Sequence, residues 1–92
     1  MNLSNHIKVP SDVMDRRVGD ETVILNLASG TYFGLDPVGA RMWELMSAGH
    51  SLAEIRDRLL EEYEVEAERL EQDLLKLVGE LQAQGLIQIN DD

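Results

Sequence analysis

The chain has no cysteine among its 92 residues, which excludes disulfides and thiolate metal sites and favours a reducing compartment. It has no apolar run long enough to span a bilayer, and its first residues, MNLSNHIKVPSD, lack the apolar segment of a signal peptide. We therefore expect a cytoplasmic protein with no membrane partner. A chain of this length predicts one domain with a modest core.

Positive charge is also scarce, and the formal net charge is −10. Residues 1–43 contain five acids and four bases, whereas residues 44–92 contain thirteen acids and four bases. An acidic half of this kind repels nucleic-acid phosphates and anionic membrane surfaces and attracts basic partners. The composition therefore predicts no nucleic-acid partner.

Catalytic side chains are few. His6 and His50 are isolated, and neither has a partner at the spacing of a metal-binding helix. The chain has no G-x-S-x-G motif, no phosphate-binding glycine loop and no cysteine nucleophile. We therefore predict that the protein is not an enzyme and needs no cofactor or metal.

The first half of the chain has the pattern of strands. Residues 1–11 are polar and show no periodicity, which indicates a flexible N-terminal arm before a single domain over residues 12–90. A weak strand is predicted at 13–18 and a well-alternating strand at 22–27, separated by a turn at Gly19–Asp20.

The loop after the second strand decides which residues face the core. A three-residue loop over 28–30 places Leu25 opposite Phe33 and gathers the larger apolar side chains on one face, whereas a two-residue loop mixes the faces. Three-residue hairpin loops need a left-handed residue at their last position, which Gly30 supplies. We therefore predict the three-residue loop, with a core face made of Val23, Leu25 and Leu27.

Helical signals follow. Asp36 and Pro37 are typical of a helix start, and Gly49 of its end. Ser51 opens a second helix with a capping box, and a third helix is predicted over about residues 66–84, with a short strand at 86–89. Trp43 fits core packing. The core face of the third helix is predicted from the recurring residues Leu70, Leu74, Leu77 and Leu81.

The third strand carries no charge and no proline, whereas the first carries Asp15, Arg16 and Arg17. If the strands follow chain order, the third strand is an unguarded sheet edge that can accept a peptide as an added strand. The same edge could pair with a second copy and form a homodimer. We assign peptide binding on this strand to Thr31, Tyr32, Phe33, Gly34 and Leu35. Tyr32 is predicted on the face away from Phe33, as an ordinary half-exposed residue or a binding residue.

The third helix offers a candidate groove wall. Leu75 and Val78 lie about 60–120° from the centre of the leucine stripe at 100° per residue. They either broaden the core or line an apolar groove beside the open strand, with Glu71 and Asp73 at its rim. We assign Glu71, Leu75 and Val78 to the peptide-binding site.

Three segments resemble the PqqD-like family of peptide-recognition domains: LNLASGTYFGLDPVGARMWELM, the Ser-Leu-Ala-Glu helix, and DLLKLVGELQAQGLI. The resemblance covers about residues 10–90 and is strongest to stand-alone recognition elements for ribosomally made, modified peptides (RiPPs), including lasso peptides. Residues Phe33 to Asp36 match the family's aromatic-x-Leu-Asn signature, with aspartate in place of asparagine.

The resemblance implies an α+β, winged-helix-like fold with a three-stranded antiparallel sheet followed by three helices. It implies a non-catalytic peptide chaperone that binds the leader segment of a precursor peptide as an added strand, between the third strand and the third helix. The leader would then be presented to a modifying enzyme or leader peptidase, for example a protease or a radical SAM enzyme.

Two alternatives belong to other classes. A winged-helix regulator would bind DNA, but the third helix offers only Arg69 and Lys76 among many acids. A structural subunit would bind a folded partner enzyme without contacting a peptide.

Overall fold

The computed structural model describes residues 3–90. These residues form five strands and three helices, in the order β1 (His6–Lys8), β2 (Val13–Val18), β3 (Glu21–Asn26), β4 (Tyr32–Leu35), α1 (Pro37–Ser47), α2 (Leu52–Glu62), α3 (Ala67–Ala83) and β5 (Gln88–Asn90). The predicted three-stranded sheet followed by three helices is confirmed. Within the described residues, no helix is both long and apolar enough to cross a membrane.

The main sheet has the antiparallel order β2-β3-β4, so β2 and β4 are its edges. Its first turn is the predicted Gly19–Asp20, with Gly19 in the left-handed region at φ 63°. Asp15 points from β2 toward the helices, where its Oδ2 accepts a hydrogen bond from Trp43 Nε1 at 2.7 Å. A charge that points inward is one way in which a sheet edge is protected from pairing, and β4 has no such residue.

The register between β3 and β4 differs from the prediction by one residue. Ile24 lies opposite Phe33, where the sequence predicted Leu25. A one-residue shift exchanges the two faces of a strand. Ile24 is therefore fully buried, and the predicted core face is wrong: Leu27, one of its members, is 60% exposed.

The side chain of Asn26 explains the shift. Its Oδ1 accepts hydrogen bonds from the backbone N–H of Ala28 at 2.9 Å and of Ser29 at 3.2 Å. Its own backbone N–H donates to the Thr31 carbonyl at 2.8 Å. The loop therefore contains four residues, 27–30, rather than three. Its last residue is the predicted left-handed glycine, at φ 76°.

β1 and β5 form a second, two-stranded antiparallel sheet in which Ile7 lies opposite Ile89. Ile7 is 6% exposed and belongs to the core. Residues 1–11, predicted as a flexible arm, therefore include a strand that packs on the domain. A strand of three residues is too short for alternation to reveal it. The predicted strand at 86–89 forms in part, since β5 begins at Gln88.

The helix ends predicted from capping residues are confirmed. Asp36 caps α1, and its Oδ1 accepts the backbone N–H of Gly39 at 2.7 Å. Ser51 and Glu54 form the predicted capping box of α2. α3 begins one residue after its N-cap Glu66 and ends one residue before its C-cap Gln84, so the prediction of 66–84 holds.

The core lies between the main sheet and the helices. Trp43 is 2% exposed, which confirms its predicted packing. The buried residues of α3 are Leu70, Leu74, Val78 and Leu81. Val78 therefore takes the core position predicted for Leu77, and Leu77 is only half-buried. This exchange leaves Leu77 partly exposed at the surface of α3.

Candidate functional site

β4 offers an open backbone edge, because it pairs only with β3 in its sheet. In an antiparallel pair, alternate residues direct their N–H and C=O groups toward the neighbouring strand. The hydrogen bond from Asn26 to the Thr31 carbonyl sets this alternation, so the odd-numbered residues of 31–35 bond to β3. Tyr32 and Gly34 direct their backbone groups to the open edge.

A cleft of about 610 Å³ lies beside this edge. It is lined by β4, the first turns of α1, the loop between α2 and α3, and α3. Three of the predicted binding residues on the strand line it: Phe33, Gly34 and Leu35. Thr31 and Tyr32 do not. Tyr32 is 74% exposed and points to the opposite face of the sheet, away from Phe33, as predicted.

α3 lines the cleft with a different set of residues from the one predicted. The α3 residues in the cleft are Leu70, Asp73, Lys76, Leu77 and Glu80. The residues predicted for the site on this helix, Glu71, Leu75 and Val78, are not among them. Val78 is fully buried in the core, and Glu71 Oε2 lies 3.6 Å from Arg56 Nη1 of α2. The apolar residues of α3 at the cleft are therefore the buried Leu70 and the half-buried Leu77, and Leu75 is not one of them.

The helical period explains this difference between the predicted residues and the lining of the cleft. At about 100° per residue, Leu75 lies about 105° to one side of the mean direction of the buried α3 residues, and Leu77 about 55° to the other. The contact between Arg56 and Glu71 identifies the side of Leu75 as the one that faces α2. A sequence gives these angles, but it does not say which side of the helix faces the open strand.

Several cleft residues were not predicted for the site, and two of them lie in one loop. Tyr63 and Val65, in the loop between α2 and α3, line the cleft and are 38% and 37% exposed. Together with Val38, Phe33 and Leu77 they give the cleft an apolar floor and walls. Their signal in the sequence is two large apolar residues that alternate with glutamates in EEYEVE, within the acidic half of the chain.

An ion-pair network fixes the start of this loop against α1. Arg41 Nε and Nη2 donate to the two carboxylate oxygens of Glu62 at 2.9 and 2.7 Å, and Arg41 Nη1 donates to Glu44 Oε2 at 3.1 Å. These hydrogen bonds from Arg41 hold the pKa of Glu62 below its ordinary value. The hydrogen bonds to Glu62 and Glu44 raise the pKa of Arg41. The network is therefore ionised at neutral pH, and it positions the residue that directly precedes Tyr63.

The rim of the cleft is acidic. Its charged lining residues are Asp36, Glu64, Asp73 and Glu80, against the single base Lys76. Among residues 3–90, no cluster of three or more histidine, aspartate or glutamate side chains is arranged to hold a metal ion. An open strand edge beside an apolar cleft is the geometry in which an extended peptide is bound by backbone hydrogen bonds and by pockets for alternate side chains.

Comparison with known proteins agrees with this geometry. The family model of coenzyme PQQ synthesis protein D (PqqD) matches residues 21–87. The chain therefore belongs to the PqqD family, as its sequence signature indicated. No curated protein matches it significantly.

Two solved structures are similar to this chain. One is TbiB1 in complex with the TbiA(beta) leader peptide: it is 38% identical, the match covers 92% of this chain and 99% of that one, and the TM-score is 0.84. The other is a lasso peptide synthetase B1 complexed with the leader peptide, with 28% identity, coverage of 90% and 98%, and a TM-score of 0.83. Both relatives were solved with a leader peptide bound.

Proposed function

We propose that this protein is a non-catalytic peptide chaperone that binds the leader segment of a ribosomally made precursor peptide. The leader adds to β4 as a fourth strand of the main sheet. The bound precursor is then presented to a modifying enzyme or leader peptidase, such as a protease or a radical SAM enzyme. The protein carries out this step in the cytoplasm.

The observation that carries the proposal is the open edge of β4 beside an apolar cleft. Tyr32 and Gly34 each have a backbone N–H and C=O directed to that edge, as the register of β4 requires. A peptide strand that uses these groups projects every second side chain toward Phe33 and Leu77 in the cleft. The leader complexes of both similar structures support this assignment.

The negative charge of the cleft indicates which side chains a bound leader should carry. Four carboxylates and one lysine line it, and the whole chain has a net charge of −10. Lys or Arg near the ends of the bound leader segment would meet these carboxylates, which accelerates association. We therefore propose a leader with apolar side chains at alternate positions and basic residues close to them.

A DNA-binding role fits the surface poorly. The two basic residues of α3 are Arg69 and Lys76, and Arg69 Nε already lies 3.3 Å from Asp73 Oδ2. A recognition helix needs several free bases on one face. A structural subunit that binds only a folded enzyme is the remaining alternative, and it predicts no affinity for a leader peptide.

Proline at the open edge tests the proposal. Gly34→Pro removes a backbone N–H that the added strand needs, so we expect it to abolish binding of the fluorescein-labelled leader peptides of the two relatives. The matched control is Arg17→Pro on β2, because Arg17 also directs its backbone N–H away from β3, at the opposite edge of the sheet. We expect this variant to bind with the affinity of the unmodified protein.

Fluorescence polarisation gives the affinities, and circular dichroism must show that both variants are folded. Scrambled leader sequences serve as peptide controls. If the unmodified protein binds neither leader peptide, or if folded Gly34→Pro binds as tightly as the unmodified protein, strand addition at β4 is contradicted. Equal losses in both proline variants would indicate a general effect on the sheet rather than a site at β4.

A further inference from the structure

The face of the main sheet that points away from the helices is not covered by any described element. Met14, Leu25 and Tyr32 lie opposite one another and form a row across all three strands. Arg16 and Val23 lie in the adjacent row, which ends at Gly34. We call the five side chains of these two rows the outer patch. A shallow depression of about 320 Å³ runs over them.

The outer patch is apolar apart from one charge. Met14 is 42% exposed and Tyr32 is 74% exposed, and Val23 and Leu25 are half-buried between them. Within residues 3–90, Arg16 takes part in no ion pair. Tyrosine, methionine and arginine are the residue types enriched at the centres of protein interfaces. A surface of this composition is typical of a protein-binding site.

Charge decides against a second copy of this chain as the occupant. Each copy carries a net charge of −10, so two copies repel each other. Face-to-face pairing about a twofold axis would also bring the two like-charged Arg16 side chains into one interface, while Asp15, which also lines the depression, accepts its hydrogen bond from Trp43 on the other face of the sheet. A different protein with an apolar surface and a carboxylate opposite Arg16 matches the patch better.

The position of the outer patch indicates which kind of partner protein binds to it. Its two rows end at Tyr32 and Gly34, the two residues of β4 whose backbone groups point to the open edge. A peptide strand added there extends the sheet, and the side chains that do not enter the cleft emerge beside Tyr32. The outer patch and one face of the bound leader therefore form a continuous surface.

We propose that the outer patch docks the enzyme that acts on the bound precursor, through an apolar surface of that enzyme that carries a carboxylate for Arg16. The identity of this partner as the precursor-modifying enzyme rests on the proposed function. The cleft side of the sheet then binds the leader, and the outer side binds the enzyme.

Site-specific photo-crosslinking first identifies the partner. The full chain, with p-benzoylphenylalanine in place of Tyr32, is crosslinked in the cells that produce it, and the crosslinked protein is identified by mass spectrometry. The control carries the same group in place of Gln72, an exposed residue of α3 that is distant in sequence and lies outside the outer patch. We expect one enzyme to crosslink at position 32 and not at position 72.

The identified enzyme is then purified and titrated against three variants of the full chain. Arg16→Glu and Tyr32→Ser should weaken its binding by roughly 10- to 100-fold, as truncations at interface centres do. Arg17→Glu is the matched control, because it makes the same charge change one residue away, on the other face of β2. It should change the affinity by less than about threefold, as expected outside an interface centre.

Binding of the leader peptides of the two relatives is measured on Arg16→Glu and Arg17→Glu, because β2 is the sheet edge opposite β4, whereas Tyr32 belongs to the edge that binds the leader. Retained leader affinity together with selective loss of the enzyme supports the proposal. Crosslinking only to a second copy, no crosslinked enzyme, or equal enzyme affinity for Arg16→Glu and Arg17→Glu would overturn it. If the unmodified protein binds neither leader peptide, the proposed function is contradicted instead. The enzyme titration would still decide the role of the outer patch.

Discussion

Leu77 and Leu75 provide a test of the cleft with one chemical change at two positions. Both are partly buried leucines of α3 that pack against the core. Only Leu77 lines the cleft beside β4, whereas Leu75 lies on the flank that faces α2. Leu77→Ala should therefore weaken leader binding, and Leu75→Ala should not.

The expected loss of binding free energy in Leu77→Ala follows from the area of Leu77 that the leader can still cover. Truncation of leucine to alanine removes three carbon groups, each worth about 0.8 kcal/mol when fully buried. Because Leu77 is already half-buried in the free protein, the leader can add only about half of that total, or roughly 1–1.5 kcal/mol. The expected loss of affinity is therefore about five- to tenfold.

Thermal melts and polarisation titrations of both variants separate binding from stability. Leu74→Ala is the stability reference, since Leu74 is fully buried and its truncation should cost about 2–5 kcal/mol. Both partly buried positions should cost less than that. If folded Leu75→Ala loses as much leader affinity as Leu77→Ala, the leader does not lie where the cleft predicts.

Three further predictions concern the rest of the molecule. First, the lowered pKa of Glu62 means that its pairing with Arg41 stabilises the fold above the ordinary carboxylate pKa, and that this stabilisation is lost as the pH falls through the pKa of Glu62 in the folded protein. The Tm of Arg41→Gln should therefore fall less than that of the unmodified protein between about pH 5 and pH 3. Parallel curves of Tm against pH for the two proteins would contradict this. Second, Ile7→Ala should lower the free energy of unfolding by about 2 kcal/mol or more in chemical denaturation, because Ile7 is 6% exposed; an unchanged midpoint would mean that β1 does not support the core. Third, added salt should weaken binding of a leader with Lys or Arg mainly through a slower on-rate in stopped-flow measurements; an on-rate that ignores salt would leave the acidic rim without a role in association.

Local chemistry made the helix boundaries predictable. The starts of α1 and α2 each have a residue whose backbone role is visible in the sequence: Asp36 with the following proline, and Ser51 with Glu54 three residues later. The unguarded edge of β4 was also predictable, because it follows from the absence of charge and proline in one short segment. These features depend on neighbours in the chain.

Features that depend on side-chain hydrogen bonds or on distant parts of the chain were missed. The register of β4 is set by the side-chain hydrogen bonds of Asn26 within the loop, which hydrophobic alternation does not report. The choice between Leu75 and Leu77 depends on which flank of α3 faces β4, and the partnership of β1 with β5 joins residues near opposite ends of the chain. Periodicity describes one element at a time, so it cannot supply the orientation of one element relative to another.

The pairing of β1 with β5 has a consequence for how such a domain can be combined with others. It places residue 6 beside residue 90, and neither strand lines the cleft. Chain ends that lie close together at the surface allow a domain to be joined to, or inserted into, another protein without disruption of its core. A domain of this architecture can therefore be attached at either end to an enzyme by gene fusion, and its strand edge stays available to the peptide.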